Sequence, residues 1–214
     1  MQGLIPLKAL GVDGEYVKEI KDAGYQNISA DKLISFKSQG MTGQFLKDIK
    51  NAKEVNKVLP SASNSNKKTE KAKAKAENKN DDDDEAFGDL IAKKALNITP
   101  AYIKGFTDNG IKISDNDLIA MKSLGITPEF FKSFQLIGVP NLNAENVIAL
   151  KSVGITANDY SEYKKFGFDK LSIDDVISAK ATGTSPAFIA SMIKQGHSYK
   201  SIDKYVQIKV LTGN

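Results

Sequence analysis

The sequence predicts an all-α protein of short helical-hairpin repeats, about 29 residues each, stacked as an α-solenoid-like array. Three observations predict it. The segments LIAMKSLGITPEFFKSF from Leu118, VIALKSVGITANDYSEY from Val147 and VISAKATGTSPAFIASM from Val176 align without gaps. Gly125, Gly154 and Gly183 recur at one fixed spacing, which Gly11 and Gly40 repeat near the N-terminus, and Asn97 takes the glycine position in a sixth copy. Helix-start and helix-stop residues punctuate each copy in the same order.

Each unit opens with a short helix. Ser29, Ser114, Asn143, Ser172 and Ser201 are good N-cap residues, most of them followed by an acid in the first turn. That helix stops at the glycine, or at Asn97, where left-handed backbone is required. Two residues later a second N-cap follows, at Asp13, Thr42, Thr99, Thr127, Thr156 or Ser185, with Pro100, Pro128 and Pro186 at the first helical position. A second glycine closes this helix at Gly24, Gly110, Gly138, Gly167 and Gly196. The unit is therefore helix, tight turn, helix, loop.

The apolar pattern agrees. Counted from the second N-cap, the third, fourth and seventh positions are Phe130, Phe131 and Phe134 in one copy, with Tyr102, Ile103 and Phe106, Phe188, Ile189 and Met192, and Tyr16, Val17 and Ile20 matching them. This spacing draws one stripe on a helix, read as core and not as a ligand groove because it recurs in every copy. The first helix adds Leu118, Ile119 and Leu124, or Val147, Ile148 and Val153. Helices of about 10 residues are marginal alone, so each hairpin must bury its face on the next.

The expected organisation has three parts: an N-terminal block of two units over residues 1–60, a disordered charged linker over 61–85, and a C-terminal block of four units plus a final helix over 86–214. The linker, SASNSNKKTEKAKAKAENKNDDDDE, carries no large apolar residue and cannot offset the entropy of folding. It is read as replacing a decayed repeat, and its Asp81 to Asp84 run as a spacer before a helix that starts near Ala86, since the run lacks the glycine turn of a calcium loop. Lys53 stands where other copies have glycine, which extends that helix toward Val58. Pro6 allows only a truncated first helix in unit one.

Composition removes several chemistries. The chain has no cysteine and no tryptophan, and His197 is its single histidine, so thiolate zinc sites and Cys nucleophiles are excluded and no cofactor or metal is expected. Its net charge of +4 is carried by lysine without a single arginine, which lacks the bidentate fork suited to phosphate and guanine. His197 lies in a polar loop, and Asp174 and Asp175 read as residues of a helix start, not as an acid/base pair. No zinc-protease helix, phosphate-binding glycine loop or nucleophile elbow occurs, so the expectation is a protein that is not an enzyme. No stretch approaches the roughly 18 apolar residues of a membrane span, so membrane insertion is not expected.

A lysine recurs three residues before the first glycine position: Lys8, Lys37, Lys94, Lys122, Lys151 and Lys180, with Lys209 matching them. Two readings stand. These lysines form a ladder that binds an acidic partner, or each complements the dipole of its own helix from the last turn. The turn LGITPEF is similar to a helix-hairpin-helix, which makes nucleic-acid binding the alternative function. Thr127 and Thr156 replace that motif's second glycine, and a capping hydroxyl would occupy the N–H groups a phosphate needs.

The units DLIAMKSLGITPEFFKSF and ADKLISFKSQGMTGQFLKDI resemble short helical repeats in the C-terminal regions of membrane-embedded zinc metallopeptidases of the beta-lactam-sensor type, chiefly from Bacteroidota. The resemblance covers most of residues 4–58 and 86–213 and rests on a periodic pattern. It implies a bacterial accessory region for sensing or protein binding. The family's catalytic HExxH helix and membrane spans are missing, so protease activity is not implied. The expected function is a non-catalytic interaction or scaffolding module whose partner is another protein, with self-association through the N-terminal block or the final helix as a further route. A soluble protein is expected, cytoplasmic if Met1 is a true start and extracytoplasmic if the chain belongs to a membrane protein.

Overall fold

A computed structural model describes residues 10–54 and 79–213. Among them are twelve α-helices and no strand, consistent with an all-α helical repeat array. The helices are α1 (Gly14–Asp22), α2 (Ala30–Ser38), α3 (Gly43–Glu54), α4 (Lys79–Ala95), α5 (Pro100–Thr107), α6 (Asp115–Ser123), α7 (Pro128–Leu136), α8 (Ala144–Ser152), α9 (Ala157–Lys164), α10 (Ile173–Ala181), α11 (Pro186–Lys194) and α12 (Ile202–Thr212). None is long and apolar enough to cross a membrane.

Every expected N-cap forms. Asp13, Ser29, Thr42, Thr99, Ser114, Thr127, Asn143, Thr156, Ser172, Ser185 and Ser201 each accept a backbone N–H from the first turn of the helix they precede. At Thr156 and Ser172 an acid three residues on returns the bond, closing a capping box with Asp159 and Asp175. Asp175 is thus a capping residue, as its place at a helix start predicts.

The stops are equally regular. Gly40 has φ +63° and Asn97 has φ +53°. The Gly40 N–H donates to Lys37 O at 3.0 Å and the Met41 N–H to Phe36 O at 2.9 Å, the paired bonds of a Schellman motif. Asn97 and Ile98 repeat the pair on Lys94 O and Lys93 O, and Gly154 and Ile155 on Lys151 O and Leu150 O. The residue after each of these positions is buried: Val12, Met41, Ile98, Ile126, Ile155 and Thr184. These residues plug the hairpin from its turn.

The chain divides into two compact units, Met1–Ile119 and Ala120–Asn214. In the first, α1 packs on α3 and α3 on α5, second helix upon second helix. Its core gathers Tyr16, Ile20, Leu33, Phe36, Met41, Leu46 and Leu90. In the second, α8 packs on α10 and α10 on α12, first helix upon first helix. Phe134, Leu150, Tyr160, Tyr163, Val176, Ile189 and Tyr205 form its core. Burying a side chain of this size stabilises by about 1.5–3 kcal/mol, and much of each face is covered by a neighbouring copy.

Two expectations change. The helix expected to start near Ala86 starts at Lys79, so α4 takes in the Asp81 to Asp84 run. Carboxylates in the first turns favour the positive end of a helix, which explains the earlier start. α5 packs directly on α3, across the linker in sequence. Phe87 stacks on Phe36 with centroids 4.8 Å apart, so residues following the linker complete the core of residues preceding it. The division between the two compact units falls inside α6, after Ile119. Second, the rings at the third position of the second helix are not uniformly core: Phe45, Tyr102, Phe130 and Phe188 are half-buried, whereas Tyr16 is buried. α3 is longer than the other second helices, and its expected run toward Val58 lies outside the described residues, as do Pro6, Lys8 and most of the linker.

Candidate functional site

The recurring lysines sit at the joints between repeats. Lys37, Lys94, Lys122, Lys151 and Lys180 lie in the last turn of a first helix, where they complement the negative end of the dipole. At Lys37, Lys94, Lys151 and Lys209 the stem crosses to the second helix of the preceding repeat. The Lys37 ammonium is 4.3 Å from the Tyr16 ring centroid, and Lys94 is 4.8 Å from that of Phe45. In the second unit Lys151 is 4.8 Å from the Phe130 centroid and Lys209 is 5.1 Å from that of Phe188. A cation over an aromatic face contributes about 0.5–2 kcal/mol, more as it is desolvated. These lysines are half-buried, as is Lys122. Lys180 is exposed and faces the charge of Asp159, which holds the third position in place of a ring. Lys8 lies outside the described residues.

Tyrosine hydroxyls make a second set of joints. Tyr16 donates to Met41 O at 2.9 Å and Tyr163 to Thr184 O at 3.0 Å, each reaching the turn of the next repeat. Tyr160 donates to Leu171 O at 2.8 Å. Burial, with the Glu19 charge adding to it, pushes the Tyr16 phenol up to about 12. Burial likewise raises Tyr163, with Asp159 adding to it. Lys164 extends the pattern by donating to Ile137 O at 2.6 Å, which satisfies a carbonyl at the end of α7.

One joint of the first unit is ionic. Lys93 occupies the core position held by Phe36, Met121 and Leu150 in other copies, and its side chain is 2% exposed. Its ammonium lies 2.7 Å from Asp115 Oδ1, at the start of α6. Burial and the Asp115 charge together raise the phenol of Tyr25. Sequence reasoning missed Lys93, although its place in the repeat register marks an apolar position. It also missed the joints, although Tyr16 and Lys37, Phe130 and Lys151, and Phe188 and Lys209 keep one offset, broken at Phe45 and Lys94 by the linker between them.

The remaining candidates read plainly. His197 is exposed; its N–H donates to Met192 O and its carbonyl accepts from the Tyr205 hydroxyl. Among the described residues no cluster of three or more His, Cys, Asp or Glu side chains is placed to hold a metal ion. The Thr127 and Thr156 hydroxyls accept their own helices' N–H groups, as the capping argument against a phosphate-binding turn requires. No protein-family model, curated protein or solved structure matches the chain, so the meaning of these joints rests on their geometry.

Proposed function

We propose that this chain is a non-catalytic interaction or scaffolding module, which offers the surface of a helical-repeat array to another protein. Its setting would be an accessory region of bacterial envelope signalling, as the repeat resemblance implies. The observation that supports this reading is the repeated lysine-on-ring joint, at Lys37 and Tyr16, Lys94 and Phe45, Lys151 and Phe130, and Lys209 and Phe188. Where the recurring lysine meets a ring, the pair is used to hold two copies together. What differs from copy to copy is the exposed surface, and repeat arrays bind partners through such surfaces.

The same joints weaken the nucleic-acid alternative, because several ammonium groups that could neutralise phosphates already cover rings. Photo-cross-linking followed by affinity recovery of the full chain tests the proposal. One protein recovered reproducibly, and displaced by excess unlabelled chain, is the expected result. Failure to recover any displaceable protein, or retardation of duplex DNA at about 50 mM salt, contradicts it.

A further inference from the structure

The joint between α9 and α10 has the lysine without the ring. Asp159 stands at the position of Tyr16, Phe45, Phe130 and Phe188, and Ala179 stands where Phe36, Met121 and Leu150 stand in other first helices. Both replacements remove volume from the same groove. The Asp159 carboxylate turns back on its own helix start, accepting from the Thr156 N–H at 2.8 Å and its hydroxyl at 2.7 Å. A cleft of about 310 Å³ results, lined by Asp159, Glu162, Tyr163, Lys180, Ser185 and Pro186. It lies at the small end of the range for ligand sites and suits one large side chain. Lys180 is exposed here, whereas Lys151 and Lys209, each lying over its ring, are half-buried.

We infer that this cleft receives an aromatic side chain of a partner protein, whose ring takes under Lys180 the place that Phe130 takes under Lys151 and Phe188 under Lys209. The inference rests on reading the chain as an interaction module. Charge complementarity selects the occupant. The Lys180 ammonium attracts the negative face of a ring, and a leucine of similar size has no such face. The Asp159 carboxylate at the rim favours a basic residue beside that ring and disfavours an acidic one, whereas Glu162 is already paired with Lys165. The hydrogen bonds from Thr156 hold the Asp159 carboxyl below its usual range, so it stays charged at neutral pH. Tyr163, tied to Thr184 O in the next turn, gives the cleft a fixed floor.

The test titrates the isotope-labelled full chain with N-acetyl-phenylalanine amide, and with N-acetyl-leucine amide as control, and follows backbone amides by NMR. Saturable ring-current shifts at Glu162, Lys180, Gly183 and Ser185 with the aromatic amide alone are expected. Asp159→Phe fills the cleft with the chain's own ring and should abolish them. Lys180→Gln keeps the capping box and should weaken binding several-fold, which guards against an Asp159→Phe variant that fails to fold. Absence of shifts, equal shifts with the leucine amide, or an unchanged titration of folded Asp159→Phe overturns the inference. Recovery of a cross-linked partner by wild type and lost with Lys180→Gln supports it, and equal recovery by both overturns the cleft while leaving the module reading intact. If no partner is recovered at all, the module reading fails, and the amide titration of the purified chain still decides the cleft.

Discussion

The Tyr16 ring lies beneath the Lys37 ammonium, 4.3 Å from centroid to nitrogen, while the Tyr16 hydroxyl donates to Met41 O at 2.9 Å. One side chain of the first repeat therefore grips both the last helical turn and the following loop of the second. Removing it should loosen two repeats at once, and its titration should report on the joint.

Tyr16 makes the joint alkali-sensitive. Its folded value is raised to about 12 from an ordinary 10, first by burial and then by the Glu19 charge, so the folded state favours the neutral phenol. The associated stability is intact below pH 10 and is lost as pH rises through about 12. Absorbance at the phenolate band should show Tyr16 ionising together with loss of helical circular dichroism, and Tyr16→Phe should remove that share of the pH dependence. Ionisation near pH 10 with the helices intact would contradict it.

Gly43 marks the closest approach of two second helices. A Cβ there would lie 2.4 Å from Glu19 O, a backbone atom that cannot step aside, and its N–H donates to the Glu19 carboxylate at 2.8 Å. Gly43→Ala should destabilise by about 1–3 kcal/mol in urea unfolding. Gly14, the matching residue of α1, has open space, and Gly14→Ala should be neutral or stabilise by about 0.5 kcal/mol.

Gly125 sets a turn by its backbone alone. Its φ is +64° and nothing lies within 4 Å of the position a Cβ would take, so only torsional strain opposes a side chain. Gly125→Val should cost roughly 1 kcal/mol or more, read from the urea midpoint. Equal stability of variant and parent would show that the left-handed turn is not needed.

Lys93 and Asp115 should behave as a coupled pair. With the lysine side chain 2% exposed and Asp115 2.7 Å away, Asp115→Asn removes the opposite charge beside a buried ammonium and should cost about 3 kcal/mol. Lys93→Met combined with Asp115→Asn should recover most of that loss, because Met121 fills the same register position in the next copy. An additive double-mutant cycle would contradict the coupling.

What could be read from sequence divides along locality. Caps at Ser29, Thr127 or Asn143, and stops at Gly40 or Asn97, depend on a residue's own backbone neighbours, and all form where expected. Ile126 and Ile155 follow a glycine inside a tight turn, a place with no periodic apolar signal, yet they are 0% and 1% exposed. The rings of Phe45, Phe130 and Phe188 carry the same letter as core residues, and only packing shows that a lysine of the next repeat shares them. The Asp159 cleft was legible only as a ring missing from a series, a signal that needs the joint to be recognised first. The bridging of the linker by α3 and α5 leaves no local trace, because it depends on tertiary packing between residues far apart in the chain.

The central claim is that neighbouring repeats bury one another and no hairpin stands alone. Its most direct test compares the far-ultraviolet circular dichroism of a synthetic peptide spanning residues 142–168, one whole repeat containing α8 and α9, with that of the intact chain. The account predicts a coil spectrum with no cooperative thermal transition for the peptide, and a helical spectrum that melts cooperatively for the chain. A peptide that is helical in water and unfolds in a sharp transition would contradict it.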